Sequence, residues 1–332
     1  MTRTITGNWN FPTNVRFGPG VISELPAACR EMAMAKPLLI TDEGLAETAM
    51  VREAISANQA DGLPTGLFSD VQGNPTGRNV DDGIAAYRAG GYDGIIAFGG
   101  GSALDAAKAI ALMVAQDRPL WDFEDVGDNW TRVKLAGLAP VVAVPTTSGT
   151  GSEVGRSSVI TNEDIKVKKI IFHPTMLPRI VLSDPELTLG LPPHLTAATG
   201  IDAFVHCFEA LCTTAYHPMA DGIALEGMRL IAAALPRAYA DGSDIDARAD
   251  MLAAAAMGAT AFQKGLGGVH ALAHPIGAQF DVHHGLANAI VLPYVMRANG
   301  PAIAEKIVPL ARLLGLPSAN FDGLLAWVLE FR

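Results

Sequence analysis

The sequence predicts an α/β N-terminal half with a mostly parallel sheet, joined to an all-α C-terminal half. Three observations carry that prediction. Short apolar runs alternate with helix-length segments through the first half of the chain. From Pro193 onward long Ala- and Leu-rich segments take over and strand signals nearly vanish. Four of the eight histidines, His270, His274, His283 and His284, fall in one stretch, GGVHALAHPIGAQFDVHHGLAN, residues 267–288.

In order, PLLIT (residues 37–41) reads as a buried strand ending at Asp42. DGIIAF (93–98) is a second strand, running into GGGS and then a helix from 103 to about 114. VVAV (141–144) is a third, closed by PTTSGTGSE, and IVLS (180–183) is a fourth. The texture changes across residues 185–193, so the halves are read as residues 1–187 and 188–332. Helices follow over 194–213, 220–240 and 247–262, and then the histidine stretch. Residues 321–332 read as a helix without a C-cap signal, as if the chain stopped inside an element.

With 332 residues, 49% hydrophobic and 17% charged, the composition is that of a globular protein with a large interior. A formal net charge of −10 provides no basic field for nucleic acid or anionic lipid. Cys29, Cys207 and Cys212 show no CxxC spacing, which predicts a reduced, cytoplasmic location. Residues 1–11 have no apolar run suited to a signal peptide. The longest apolar runs are too short or carry charges such as Asp105 and Lys108, so no membrane span is expected.

The strand ends carry the first chemistry. Glycines at 99–101 before Ser102 let backbone N–H groups approach a pyrophosphate, where a helix N-terminus adds partial positive charge. GGGS alone reads equally well as a tight turn. Two further strand ends strengthen the phosphate reading: PTTSGTGSE provides Thr146, Thr147 and Thr150 as donors, and Asp42 can accept from both ribose hydroxyls or simply cap a helix. A carboxylate there would repel a 2′-phosphate, favouring NAD over NADP. The first half is therefore read as a Rossmann-like dinucleotide-binding domain.

The second half carries metal-type donors. Asp202 and His206 lie four apart in TGIDAFVHCFEA, as do His270 and His274, so each pair shares a helix face. A carboxylate and imidazoles converging from separate helices suit a divalent metal. Asp105 and Lys108 read as structural, and His283 as a surface or neighbouring residue.

Together NPT (74–76), GGGSALDAAK (99–108), PTTSGTGSE (145–153), GIDAFVH and VHALAHPIGA…HHGLANAI…LPYVMR resemble the iron-containing (group III) alcohol dehydrogenase family. The match runs in order from FGPG (17–20) to the end of the chain. The resemblance implies a metal- and NAD-dependent alcohol dehydrogenase, a homo-oligomer such as a dimer, with a small alcohol, hydroxy acid or aldehyde as substrate. It places the metal, Fe²⁺ or Zn²⁺, on Asp202, His206, His270 and His284. It places NAD contacts on Asp42, Asn74, Gly100, Gly101, Ser102, Thr146, Thr147 and Thr150. Lys169, with Lys168 as the other candidate, is the implied ribose contact. His274 lies near nicotinamide and substrate in the family, and its register with His270 suits proton relay or substrate orientation. Phe262 falls where the family lines its pocket, and the loop after it is one residue shorter than in the best-known members.

Compared with the family, the chain reads as lacking the usual C-terminal helices. Lys264, in the short loop, raises the expectation of a substrate carboxylate, against an ordinary solvated lysine. One carboxylate and three neutral imidazoles leave a bound metal with net positive charge, suited to lowering an alcohol's pKa. Four protein ligands close a tetrahedral shell, so substrate binding needs an expanded one, which Fe²⁺ accepts more readily than Zn²⁺. The competing readings are an NAD- and metal-using lyase of the dehydroquinate synthase type, and an NAD-binding protein inactivated by C-terminal loss.

Overall fold

A computed structural model of the chain describes residues 13–332. The reading of residues 1–11 as lacking a signal sequence lies outside the described residues. Contacts separate two compact units, one reaching Thr146 and resuming over Ser152–Thr188, the other made of Thr147–Gly151 and Leu189–Arg332.

The first unit holds strands β1 (Asn14–Phe17), β2 (Pro37–Ile40), β3 (Gly66–Phe68), β4 (Gly94–Gly99), β5 (Val141–Pro145), β6 (Ser157–Asn162), β7 (Val167–Phe172) and β8 (Ile180–Ser183). Six of them form one sheet in the order β1-β8-β5-β4-β2-β3, every pairing parallel. In register, Leu39 faces Ile96 and Ile96 faces Val142, and all three are fully buried. Strands covered on both faces have no polar face to alternate with, which is why they read as continuous apolar runs. The order turns around between β2 and β4: β3 lies outside β2, while β5 and β8 follow β4 on the other side. Ligands of open parallel sheets bind at the carboxyl ends of strands at such a reversal.

Helices α1 (Leu25–Glu31), α2 (Glu43–Ala46), α3 (Ala49–Ala60), α4 (Gly77–Gly90) and α5 (Gly101–Met113) complete this unit. A Thr76–Asn79 capping box starts α4, and Gly91 in the left-handed region ends it. The short or half-exposed β1 and β3, and the antiparallel β6–β7 hairpin, have no strand counterpart in the sequence reading. NVRF and GLF are too short and too exposed to show a period, and the hairpin's Val167 and Ile170 face outward.

The second unit contains α6 (Pro193–Cys212), α7 (Pro218–Ala240), α8 (Ile245–Ala261), α9 (Gly268–Phe280), α10 (His284–Ile303), α11 (Val308–Leu313) and α12 (Phe321–Phe331). It carries no strand among the described residues. Every residue of α6 from Gly200 to Leu211 is buried, because α7, α8 and α10 surround it. It is the one described helix long and apolar enough to cross a membrane, and 72% of that window is buried inside the protein.

The last helix belongs to the same core. Leu324 and Val328 are buried, and the Trp327 and Phe331 rings lie 5.7 and 6.0 Å from the Phe204 ring of α6. Full burial of each such aliphatic side chain contributes roughly 1.5–3 kcal/mol.

Candidate metal centre and dinucleotide site

Helix α6 presents Asp202, His206 and Glu209 along one face, at spacings of four and three residues. All three are at least 96% buried. Two glycines allow the neighbouring helices to come close enough to add to that face. A Cβ on Gly258 of α8 would lie 3.1 Å from His206 Cβ. A Cβ on Gly285 of α10 would lie 2.1 Å from the Ala198 carbonyl oxygen, a backbone atom that cannot swing aside. Because Gly285 lets α10 begin against α6, its first residue, His284, reaches Asp202.

Asp202, His206, His270 and His284 bring one ligand atom each to within 4.8 Å of one another. From Asp202 Oδ1 the imidazole Nε2 atoms stand at 3.8 Å (His206), 3.7 Å (His270) and 3.4 Å (His284). Donors held by bonds of about 2.1 Å sit roughly 3.4 Å apart around a tetrahedral ion, so the set is close to bonding spread. One hard oxygen and three imidazole nitrogens, with no thiolate, suit Fe²⁺ or Zn²⁺. Burial opposes ionisation of Asp202, but the imidazoles of His206, His284 and His270 hold its carboxyl well below the usual carboxylate range. Burial lowers His206 to about 4, leaving it a neutral nitrogen donor at neutral pH. His270 is raised to about 9: burial works against its charge, and the Asp202 and Glu209 carboxylates outweigh it.

Two further residues surround the cluster that sequence reading passed over. Asn288 is fully buried one turn beyond His284; its amide nitrogen donates to Asp202 Oδ1 at 2.7 Å. The same nitrogen lies 3.3 Å from His270 Nε2 and 3.2 Å from His284 Nε2. Glu209 Oε2 lies 2.7 Å from His270 Nδ1, on the ring edge away from Asp202. The available signal was spacing: Asn288 is i+4 from His284, and Glu209 is i+7 from Asp202.

The remaining expected site residues of this unit divide. The His274 ring stands 5.8 Å from His270 and 5.3 Å from His284, beside the cluster but outside its four donors. The Phe262 ring lies 5.0 Å from that of His206. Lys264 is a correction. Its side chain is 0% exposed; the ammonium pairs with Asp221 and donates to the Leu211 carbonyl at 3.3 Å. The turn over Phe262–Lys264 continues α8, so the lysine points into the helical packing instead of a solvated loop and is not available to a substrate carboxylate.

In the α/β unit the strand ends at the sheet's reversal gather several candidates. Asp42 follows β2 and caps α2, its Oδ1 accepting from the Leu45 N–H at 3.1 Å. Burial pushes its carboxyl above the usual range. Its Oδ2 lies 3.4 Å from where a Cβ on Gly99 would sit. Gly99 has φ +142°, and that Cβ would meet Ala103 at 2.8 Å, so the position excludes side chains. Gly100 caps α5 without a side-chain acceptor, and the following Gly101 opens the helix, leaving its first N–H groups for an anion. The Thr146 N–H donates to the Gly99 carbonyl at 3.0 Å. Ser102 Oγ donates to the Gly73 carbonyl at 2.6 Å, beside Asn74. Thr147 and Thr150 lie in the Thr147–Gly151 segment that groups with the helices.

The hairpin separates the two lysines. Lys168 Nζ donates to Asn74 Oδ1 at 2.7 Å, whereas Lys169, on the opposite face of β7, pairs with Glu124 at 2.6 Å. Alternation along a strand separates neighbours, so only one of the two can join Asn74. Of the two candidates for the ribose contact, Lys168 is therefore the one placed beside Asn74. Asp105 and Lys108 tie α5 to the loop after β5: Lys108 donates to the Ser152 carbonyl at 2.9 Å, and Asp105 accepts from Ser152 Oγ at 2.5 Å and the Val159 N–H at 2.9 Å.

Comparison with known proteins agrees with both units. Residues 12–185 match the family model "Iron-containing alcohol dehydrogenase", and residues 196–323 match "Fe-containing alcohol dehydrogenase family, C-terminal". The chain is 42% identical to 4-hydroxybutyrate dehydrogenase of Cupriavidus necator, over 92% of its own length and 81% of the relative's. It is 38% identical to 1,3-propanediol dehydrogenase of Klebsiella pneumoniae, over 93% and 78%. A crystal structure of 1,3-propanediol oxidoreductase superposes with a TM-score of 0.92 at 36% identity, covering 98% of this chain and 85% of that one.

These matches correct the expectation that the usual C-terminal helices are missing. The C-terminal family model is matched over residues 196–323, the four-donor cluster is present, and α10–α12 pack into the helical core. Inactivation by loss of that domain falls with it. The chain belongs to the iron-containing alcohol dehydrogenase family, and is a metal-dependent, NAD-linked oxidoreductase acting on the CH–OH group of alcohols.

Proposed function

We propose that the chain oxidises the terminal hydroxyl of a short alcohol or ω-hydroxy acid with NAD⁺, and reduces the aldehyde in reverse. The observation that carries this reading is the convergence of Asp202, His206, His270 and His284 beside His274 and Phe262. Similarity to 4-hydroxybutyrate and 1,3-propanediol dehydrogenases supports a short substrate with a primary hydroxyl.

When bound, the divalent metal supplies Lewis acidity toward the substrate oxygen, and the nicotinamide supplies the hydride acceptor. Asp202 provides the negative charge of the metal site, His206 and His284 provide imidazole donors, and His270 provides a third once its ring has given up the proton that Asp202 and Glu209 favour. His274, adjacent to two of those rings, takes the hydroxyl proton and returns it in the reverse reaction. Phe262 covers the His206 edge and keeps water from it. Asp42, Asn74, Gly100, Gly101, Ser102, Thr146, Thr147, Thr150 and Lys168 hold the dinucleotide, with Asp42 selecting NAD by repelling a 2′-phosphate. On this reading residues 1–187 serve the cofactor and residues 188–332 serve metal and substrate.

A cytoplasmic homodimer fits the remaining features. Three free cysteines suit a reducing compartment. Leu286, Ile290 and Tyr294 of α10 are exposed at successive turns, an apolar face suited to a second copy. Light scattering and cell fractionation test those two points.

The activity test is a panel of alcohols and ω-hydroxy acids followed by NADH absorbance on Fe²⁺-reconstituted protein. NADH formation is expected from wild type and lost in Asp202→Ala, which retains NAD binding. Equal rates in the two proteins would overturn the metal-dependent reading.

A further inference from the structure

We propose that Glu209 is the positioning residue of the metal centre: its buried carboxylate holds His270 as the Nδ1–H tautomer and anchors the first turn of α9. The inference rests on the metal-site reading above and deepens it. Glu209 is 4% exposed and receives several donors at once. Oε1 accepts from the Val269 N–H at 2.6 Å, and Oε2 accepts from His270 Nδ1 at 2.7 Å, with the His270 N–H at 3.4 Å.

These contacts solve two problems with one side chain. The N-cap of helix α9 is Gly267, which has no side chain to satisfy the helix's free N–H groups. A carboxylate from α6 performs that capping from outside, favoured by the helix dipole. Gly267 is needed for it, since a Cβ there would lie 2.8 Å from Glu209 Oε1. The same carboxylate can only accept, so the ring proton facing it must sit on Nδ1. In the neutral, metal-binding ring the lone pair is then on Nε2, the nitrogen 3.7 Å from Asp202 Oδ1. Because Asp202, His206 and Glu209 share one face of α6 within its buried Gly200–Leu211 stretch, a rigid rod sets the positions of two donors and the orientation of a third.

The test compares wild type, Glu209→Gln and Glu209→Ala as full-length chains. Zn²⁺ affinity is measured against a competing chelator, and the Co²⁺-substituted proteins are compared by visible absorption. Glutamine keeps an acceptor and the volume but loses the charge that fixes the tautomer. Its Zn²⁺ affinity is expected to fall about tenfold to a hundredfold, with a shifted Co²⁺ spectrum and a metal-free unfolding midpoint close to wild type. Alanine is expected to lose more affinity and also stability. Glutamine affinity within about twofold of wild type and an unchanged Co²⁺ spectrum would overturn the assignment. A second measurement does not depend on any variant folding: the nitrogen NMR shifts of His270 in wild-type, Zn²⁺-loaded protein. A protonated Nδ1 with metal on Nε2 is expected, and metal on Nδ1 overturns the proposal. If wild type itself binds neither ion, the metal-site reading fails and this inference fails with it. Metal binding that is insensitive to Glu209 rejects this inference alone.

Discussion

The Asn288 side-chain amide donates to Asp202 Oδ1 at 2.7 Å, in a position with no solvent exposure on the asparagine. A buried carboxylate deprived of such a donor costs about 1–3 kcal/mol. Asn288→Ala is therefore expected to weaken metal retention about tenfold or more. Release of bound Zn²⁺ to a chelator measures it. Release at the wild-type rate would show the amide to be incidental.

Gly285→Ala tests how closely α10 must approach α6. The new methyl would stand 2.1 Å from the Ala198 carbonyl oxygen, so one helix has to shift. The expected cost is about 1–3 kcal/mol of stability. Metal affinity should fall as well, because His284 precedes the shifted residue. Thermal unfolding with and without metal separates the two effects.

The two hairpin lysines should behave differently. Lys168→Ala removes the cation held at Asn74 and is expected to raise KM for NAD about tenfold, within the range for a charged hydrogen bond. Lys169→Ala breaks a pair with Glu124 and should cost only ~1 kcal/mol of stability, with KM unchanged. Steady-state kinetics at varied NAD decides, and a larger KM effect at Lys169 would reverse the assignment.

Lys264→Ala should act on stability without altering substrate preference. Removing the ammonium leaves Asp221 without its partner; because Asp221 is 32% exposed, the cost is about 2 kcal/mol, below that of a fully buried pair. The ratio of kcat/KM for ω-hydroxy acids to that for simple alcohols should stay constant. A selective loss on the acids would restore Lys264 to the substrate site.

Glu153 gives the α/β unit a pH dependence. Burial raises its carboxyl from 4.5 to about 7. The folded state therefore binds this proton more tightly than the unfolded one. The stabilisation is full below about pH 4.5 and is lost as pH rises through about 7, a change on the order of 3 kcal/mol. Glu153→Gln lacks that loss. Its unfolding midpoint should gain on wild type between pH 5 and pH 8, by an amount of that order. Parallel curves for the two proteins would show that Glu153 does not titrate in this window.

Much of the site was legible in the chain because its signals are local. Asp202 with His206 shows the one-turn spacing of a shared helix face, and buried parallel strands such as β4 need no partner to be recognised. The order of motifs across both halves resembled one family, and that family is the one matched. The Lys264 misreading and the open choice between two lysines arose where a residue's role depends on a distant neighbour. Lys264 reads as a loop cation until Asp221, forty-three residues earlier, is brought beneath it. Lys168 and Lys169 are adjacent in VKK, and only the pairing of β6 with β7 decides which face meets Asn74.

By itself, then, the sequence determined the α/β-then-α order, the glycine-rich strand ends and the pairing of Asp202 with His206, all properties of short segments, while the family and the set of four donors came from the resemblance of its ordered motifs. The tertiary structure alone decided which side chains complete those donors. Glu209 reaches His270 across sixty-one residues and Asn288 reaches Asp202 across eighty-six. Such contacts exist because glycines at 258, 267 and 285 let helices and carboxylates approach closely, and close approach in space leaves no period in a sequence.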